Sequence, residues 1–162
     1  MIYTGIGSRD TPTEICALMT RIAKYMAAKG YTLRSGGAPG ADTAFEMGAD
    51  QRKEIYLPWK AFNNNPSELF PASDAAMKIA AEFHPYWGKL SQRSKLLIGR
   101  NTHQVLGADC NASTERIICW TKDAKGGGGT GQAIRIARHL GIPIDDLANP
   151  MLLKAWQELL IP

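Results

Sequence analysis

The stretch SGGAPGAD at residues 35–42 decides the fold class of this chain. The preceding residues 31–34, YTLR, are typical of a short strand, and residues 41–50 are typical of a helix. A glycine-rich turn that leads from a strand into a helix indicates an α/β protein with a parallel sheet. Because glycine permits positive φ angles and lets a ligand approach the backbone, this turn also predicts a binding site.

A second turn of the same kind, GGGGTG at residues 126–131, lies near the end of the chain. It follows a strand predicted at residues 115–121 and leads into a helix predicted at residues 131–140. The start of a helix offers unpaired N–H groups and a positive dipole end to an anion. Ligands of parallel sheets bind beyond the carboxyl ends of the strands. We therefore expect the two turns, on neighbouring strands, to form a double cradle for phosphate groups.

The rest of the chain alternates strands with helices, which predicts an α/β fold with a parallel sheet flanked by helices on both faces. At 162 residues, the chain suits a single domain spanning residues 1–162. Thr11 and Glu14 have the spacing of a capping box at the start of the first helix. The further predicted strands are 1–6, 53–57 and 142–144, the further predicted helices are 11–29, 73–83, 90–106 and 151–160, and residues 58–71 form a long loop.

Composition limits the partners and the location. The chain is 44% hydrophobic and 21% charged, with a net charge of +4, which suits a globular protein that binds an anion. Three cysteines without a CxxC pair, and no apolar run of membrane-spanning length, predict a cytoplasmic protein with no membrane partner. The three histidines lack ligand spacing, so we expect no metal site. No basic surface interleaved with aromatic residues is evident.

The standard nucleotide motifs are incomplete. The run from Gly5 has Asp10 where a dinucleotide fingerprint requires its third glycine. Residues 126–131 have the glycine spacing of a P-loop, but Gln132 and Ala133 replace its lysine and hydroxyl residue. These differences weaken the prediction of a conventional NAD site and argue against ATP hydrolysis by the P-loop mechanism.

Charged side chains near the turns are further candidates. Arg9 and Arg34 follow or end strands at the same predicted sheet edge, where a guanidinium can bind phosphate oxygens. Arg34 could instead form an ion pair within the sheet. Asp42 and Glu46 lie one helical turn apart, and could bind ribose hydroxyls, act as general acid and base, or complement the helix dipole. In the helix at 90–106, Asn101 and two arginines, Arg93 and Arg100, could reach the pocket, although we expect both arginines on a solvated face.

Together, the GSR at residues 7–9, the SGGAPGAD run and the GGT at residues 128–130 resemble the Smf/DprA and Lonely Guy superfamily over residues 1–145. The resemblance implies a Rossmann-like fold, frequent dimerisation, and binding of nucleotides, nucleotide-derived messengers or single-stranded DNA. It implies that the ligand pocket is lined by Arg9, Gly36, Gly37, Gly40, Asp42, Gly129 and Thr130. Lonely Guy enzymes carry PGGxGTxxE, and Ala133 stands here in place of the glutamate.

Three functions remain open from the sequence. The leading hypothesis is a sensor or sequestering protein that binds a nucleotide or nucleotide-derived ligand, needs no other cofactor, and forms a homodimer or a higher homo-oligomer. The alternatives are a nucleotide N-glycoside hydrolase that uses Glu46 or Asp42, and a DprA-like protein that binds single-stranded DNA. The predicted ligand-binding residues are Gly7, Ser8, Arg9, Arg34, Ser35, Gly36, Gly37, Ala38, Gly40, Asp42, Gly128, Gly129, Thr130 and Gly131.

Overall fold

The computed structural model describes residues 1–162 as a five-stranded parallel sheet with six α-helices, a Rossmann-like α/β fold. None of the helices has the combined length and apolar character that crossing a membrane requires. The strands are β1 (Ile2–Gly5), β2 (Thr32–Ser35), β3 (Lys53–Ile55), β4 (Ile117–Cys119) and β5 (Ile144–Asp146). The helices are α1 (Thr13–Ala28), α2 (Ala41–Ala49), α3 (Asp74–Phe83), α4 (Gln92–Leu106), α5 (Gly131–His139) and α6 (Pro150–Leu159).

The strand order is β3-β2-β1-β4-β5, so β1 is the central strand. Thr4 of β1 is in register with Arg34 of β2 on one side and with Ile117 of β4 on the other. From β1 the chain first extends the sheet through β2 and β3, and later returns to add β4 and β5 on the opposite side. Such a reversal opens a crevice at the carboxyl ends of the two strands that flank it, here β1 and β4.

Two apolar clusters cover the two faces of the sheet. The larger one joins the sheet to α1 and α2, through residues such as Met19, Ile22 and Phe45, and α6 packs against it with Trp156. The smaller one joins Ile117 and Cys119 of β4 to α4 and α5. Helices therefore cover both faces of the sheet, as the alternation of strands and helices predicted.

The sequence predicted every strand and helix, and three details differ. Thr11 does not cap α1, because its hydroxyl donates to the Ser8 carbonyl at 2.6 Å and the helix begins at Thr13 after Pro12. The last strand lies at Ile144–Asp146 rather than at 142–144. The two glycine turns are not on neighbouring strands, because β1 separates β2 from β4.

The packing of α1 on α2 depends on Gly48. A Cβ at this position would overlap the Thr20 carbonyl oxygen and lie 2.7 Å from Ala23 Cβ, so the two helix backbones approach closely there. The same contact is tied by the Thr20 hydroxyl, which donates to the Ala44 carbonyl at 2.8 Å.

We expect Gly48→Ala to lower the free energy of unfolding by about 1–3 kcal/mol, because the extra methyl must push the helices apart. Urea unfolding followed by circular dichroism measures the effect. Gly88→Ala is the matched control, since a Cβ there meets nothing within 4 Å. Equal midpoints for the two variants would contradict the close approach.

Candidate functional site

A cavity of about 780 Å³ lies in the crevice at the carboxyl ends of β1 and β4. Four segments line it: the loop after β1 (residues 7–10), the start of α2 with Ala38 before it, one face of α4, and the loop after β4 (residues 122–130). The loop after β1 is held against β4 because Ser8 N–H donates to the Trp120 carbonyl at 3.1 Å. The site therefore combines segments that are far apart in the sequence.

Four cationic side chains line the cavity, and none is within 4.0 Å of a carboxylate. Arg9, Lys122 and Lys125 are exposed at its outer rim. Arg100 is only 7% exposed and lies inside. Three carboxylates, Asp10, Asp42 and Asp123, also line the cavity, so its field is mixed rather than uniformly positive.

Arg100 is fixed by the backbone of neighbouring segments. Its Nη1 donates to the carbonyls of Gly36 and Tyr56, and its Nε donates to Asn101 Oδ1 at 3.0 Å. Burial lowers the pKa of the guanidinium, the nearby Asp42 charge raises it less, and Arg9 adds a further lowering. Arg9 and Arg100 line the same cavity, which is why the charge of one acts on the other.

Asp42 fills the first glycine turn with the protein's own carboxylate. Its Oδ2 accepts a hydrogen bond from Ala38 N–H at 3.2 Å, and the N–H groups of Gly7 and Gly36 also stabilise the charged form. The side chain is only 4% exposed, and burial raises its pKa to about 6, against the lowering effects of Arg100 and these N–H donors. The N–H groups at this turn therefore bind an anion, and that anion is the carboxylate of Asp42.

The second glycine turn is open to the cavity. Gly127, Gly128 and Gly129 are exposed, and a Cβ at any of them would meet nothing within 4 Å. Thr130 precedes α5, and no side chain caps the N-terminus of that helix. Two anchors hold the turn: Asn101 Nδ2 donates to the Gly129 carbonyl at 2.9 Å, and Gly126 N–H donates to Thr121 Oγ1 at 2.9 Å. Its backbone can therefore approach a bound anion.

Eight of the fourteen predicted ligand-binding residues line this cavity, and the other six do not. Gly36 and Gly37 form the turn behind it, Ser35 donates to the Gly5 carbonyl, and Gly40 faces a separate groove between α1 and α2. Gly131 is buried at the start of α5. The eight in the cavity are Gly7, Ser8, Arg9, Ala38, Asp42, Gly128, Gly129 and Thr130.

Arg34 lies away from the cavity and forms an ion pair within the sheet, which was the alternative interpretation of this residue. It is buried in the sheet, where its guanidinium forms an ion pair with Glu54 at 3.4 Å and donates to the Ala112 carbonyl at 2.5 Å. Gly107, with a φ of 82°, leaves room for this guanidinium. Arg34 joins β2 to the segment after α4 and does not contact the cavity.

Glu46 is also outside the cavity, although it is one helical turn from Asp42. Its carboxylate accepts hydrogen bonds from Lys53 Nζ at 2.9 Å and Asn65 Nδ2 at 2.8 Å, which joins α2 to β3 and the loop at 58–71. Of the two carboxylates considered for a hydrolase, only Asp42 lines the cavity.

Helix α4 contributes residues that sequence reasoning placed wrongly or missed. Arg100 is buried in the cavity rather than on a solvated face, whereas Arg93 is exposed and lies 4.5 Å from the ring centre of Trp59. Gln104 was not a candidate, yet it lines the cavity and is only 2% exposed. The sequence did contain a signal that could have identified Gln104. It lies one helical turn after Arg100 and one residue before the apolar Val105.

Comparisons with known proteins establish the fold. The chain matches no family model, and no curated protein matches it significantly. Its structure resembles that of DNA processing protein A from Helicobacter pylori, with a TM-score of 0.54 and 15% sequence identity, over 96% of this chain and 73% of that one. That protein has been analysed for its single-stranded DNA binding mode. The likeness supports a DprA-like, Rossmann-like fold.

The raised pKa of Asp42 predicts a pH dependence of stability. Because the folded pKa of about 6 exceeds the ordinary 3.8, the folded state prefers the protonated carboxyl. This contribution is fully present below pH 4 and is lost as the pH rises through about 6. Between pH 4 and 7, the free energy of unfolding of the wild type should fall relative to that of Asp42→Asn by on the order of 3 kcal/mol. Urea midpoints across this range measure it, and parallel profiles would contradict it.

Proposed function

We propose that the protein binds a phosphate-bearing nucleotide or nucleotide-derived molecule in this cavity, as a sensor or sequestering protein. The observation that carries the proposal is the pair Arg9 and Arg100, which share the cavity with no carboxylate within 4.0 Å of either. A buried guanidinium is costly unless its charge is compensated. Phosphate oxygens match guanidinium geometry through paired hydrogen bonds.

The second glycine turn supports the same ligand chemistry. Its exposed backbone leads into α5, whose N-terminus lacks a side-chain cap, and Lys122 and Lys125 lie beside it. Such a helix start favours phosphate through its N–H groups and its dipole. The cavity volume of about 780 Å³ lies within the range that small-molecule sites occupy.

The positions and hydrogen bonds of the carboxylates favour a binding protein over a hydrolase. Glu46 is engaged with Lys53 and Asn65 outside the cavity, and Ala133 occupies the position of the Lonely Guy glutamate. Asp42 remains, but its carboxylate already accepts the N–H groups of the first glycine turn. The other two carboxylates of the cavity, Asp10 and Asp123, are exposed to solvent, so no buried pair is available for acid and base roles.

We expect the wild type to bind at least one compound from a panel of NAD, ADP-ribose, cyclic nucleotides and nucleoside monophosphates in calorimetry. Arg9→Ala should weaken that binding about 10- to 100-fold, the usual worth of a hydrogen bond to a charged group. Lys24→Ala, an exposed cation on α1, is the control and should bind like the wild type. A wild type that binds no member of the panel, and carries no copurified phosphate compound in mass spectrometry, would refute the proposal.

Single-stranded DNA is the second candidate ligand, and a surface feature favours it. Outside the cavity, the first turn of α4 carries two cations that lie beside aromatic rings, a combination that the sequence did not reveal. Arg93 stacks over Trp59, Lys95 Nζ lies 5.6 Å from the ring centre of Trp87, and Tyr86 is 64% exposed. Ser94, which lies between these two cations in the sequence, lines the cavity. Aromatic rings beside cations are the usual platform for unpaired bases.

For this candidate, we expect oligonucleotide binding that falls steeply with salt, measured by fluorescence anisotropy. Tyr86→Ala should weaken it about 5- to 100-fold, because a base loses its stacking partner. Tyr86→Phe keeps the ring and is the matched control. Absence of binding at low salt would remove DNA as a ligand and leave the small-molecule proposal intact.

A further inference from the structure

The side chains of three polar residues converge at one end of the cavity, which we call the deep end. The residues are Asp42, Arg100 and Gln104. They meet at Gly36, whose lack of a side chain makes room for them. A Cβ on Gly36 would overlap Gln104 Nε2 and would lie 2.8 Å from Asp42 Oδ2 and 2.9 Å from Arg100 Cζ. All three residues are more than nine-tenths buried and line the cavity.

Gln104 has an unused side-chain amide at this deep end. Its backbone carbonyl accepts a hydrogen bond from the Thr4 hydroxyl at 2.5 Å, which holds α4 against β1. Its side-chain amide, by contrast, makes no hydrogen bond within the protein, although the residue is only 2% exposed. The fully buried side-chain nitrogen and oxygen atoms without a hydrogen-bond partner are Tyr3 Oη and Arg34 Nε, so the Gln104 amide is still reached from the cavity. An amide kept free at the wall of a cavity indicates a ligand that pairs with it.

The neighbours of Gln104 restrict what that ligand group can be. The N–H groups of the first glycine turn are directed at Asp42, so they are not available to a second phosphate. The Asp42 carboxylate also repels a second anion at this end. Arg100 adds a donor, since its Nη2 makes no hydrogen bond within the protein. The deep end therefore suits a neutral group that carries both hydrogen-bond donors and acceptors.

We infer that Gln104 determines ligand specificity by pairing with the polar edge of a nucleobase, where a donor lies beside an acceptor. An amide offers the complementary acceptor and donor side by side, which is how proteins read unstacked bases. The phosphate then lies towards Arg9 and the second glycine turn. This inference rests on the proposed nucleotide site and adds to it the group that selects among phosphate compounds.

The test compares nucleoside 5′-monophosphates carrying each of the four common bases with ribose 5-phosphate, by calorimetry. The wild type should prefer at least one nucleotide to ribose 5-phosphate by tenfold or more. Gln104→Leu should reduce that preference about 5- to 100-fold and leave the affinity for ribose 5-phosphate within twofold of the wild type. Gln104→Glu, which keeps the shape but exchanges the amide donor for charge, should also lose the preference.

A second measurement needs no ligand. Because the amide makes no hydrogen bond within the protein and is reached from the cavity, Gln104→Leu should leave the urea midpoint of the free protein close to that of the wild type. A lower midpoint together with an equal loss of affinity for every compound would show a structural role and overturn the inference. An unchanged nucleotide preference in Gln104→Leu would overturn it too, while leaving the proposed nucleotide site standing. A wild type that binds neither nucleotides nor ribose 5-phosphate overturns both.

Discussion

The close approach of α4 to the end of β2 is the constraint on which the site depends, and Gly36 permits it. With no side chain there, Arg100 reaches the carbonyls of Gly36 and Tyr56, and Gln104 lies against the turn. Any larger residue would displace the buried polar groups at the deep end. The same approach places the outer half of α4 beside the loop after β4, where Asn101 holds Gly129. The absence of a side chain at Gly36 therefore affects both the deep end and the rim of the cavity.

Charge is distributed unequally along the cavity, and this distribution gives its two ends different chemistry. Free cations lie at the rim, together with the open glycine turn, whereas the deep end combines a cation with a carboxylate held by backbone N–H groups. Repulsion between like charges makes a second phosphate unfavourable beside Asp42. A ligand with one charged end and one neutral polar end matches both halves, which is the form of a nucleotide.

Local patterns predicted the fold well, because strand and helix periods and glycine breaks are properties of short segments. Strand order is not local: β1 pairs with β4 more than a hundred residues later, so the expectation of neighbouring glycine turns was wrong. The predicted positions of several charged residues were wrong for a related reason. Arg34 and Arg100 both stand near predicted loops or exposed faces, but only the packing of α4 on the sheet shows which one reaches the cavity. Asp42 and Glu46 share a helix face in sequence terms, yet Asp42 turns back into the glycine turn while Glu46 bonds to β3.

The openness of the second glycine turn has a consequence for the rate at which a ligand leaves. A Cβ at Gly127 or Gly128 would meet nothing within 4 Å, so between the anchors at Gly126 and Gly129 these two residues retain much of the conformational freedom that glycine allows. A phosphate bound to their N–H groups removes that freedom, and part of the interaction free energy is offset by ordering the turn. In the proposed complex, this cost lowers the affinity without any loss of complementarity and favours fast dissociation. A reversible sensor benefits from such a turn, whereas a protein that only sequesters its ligand would gain from a rigid one.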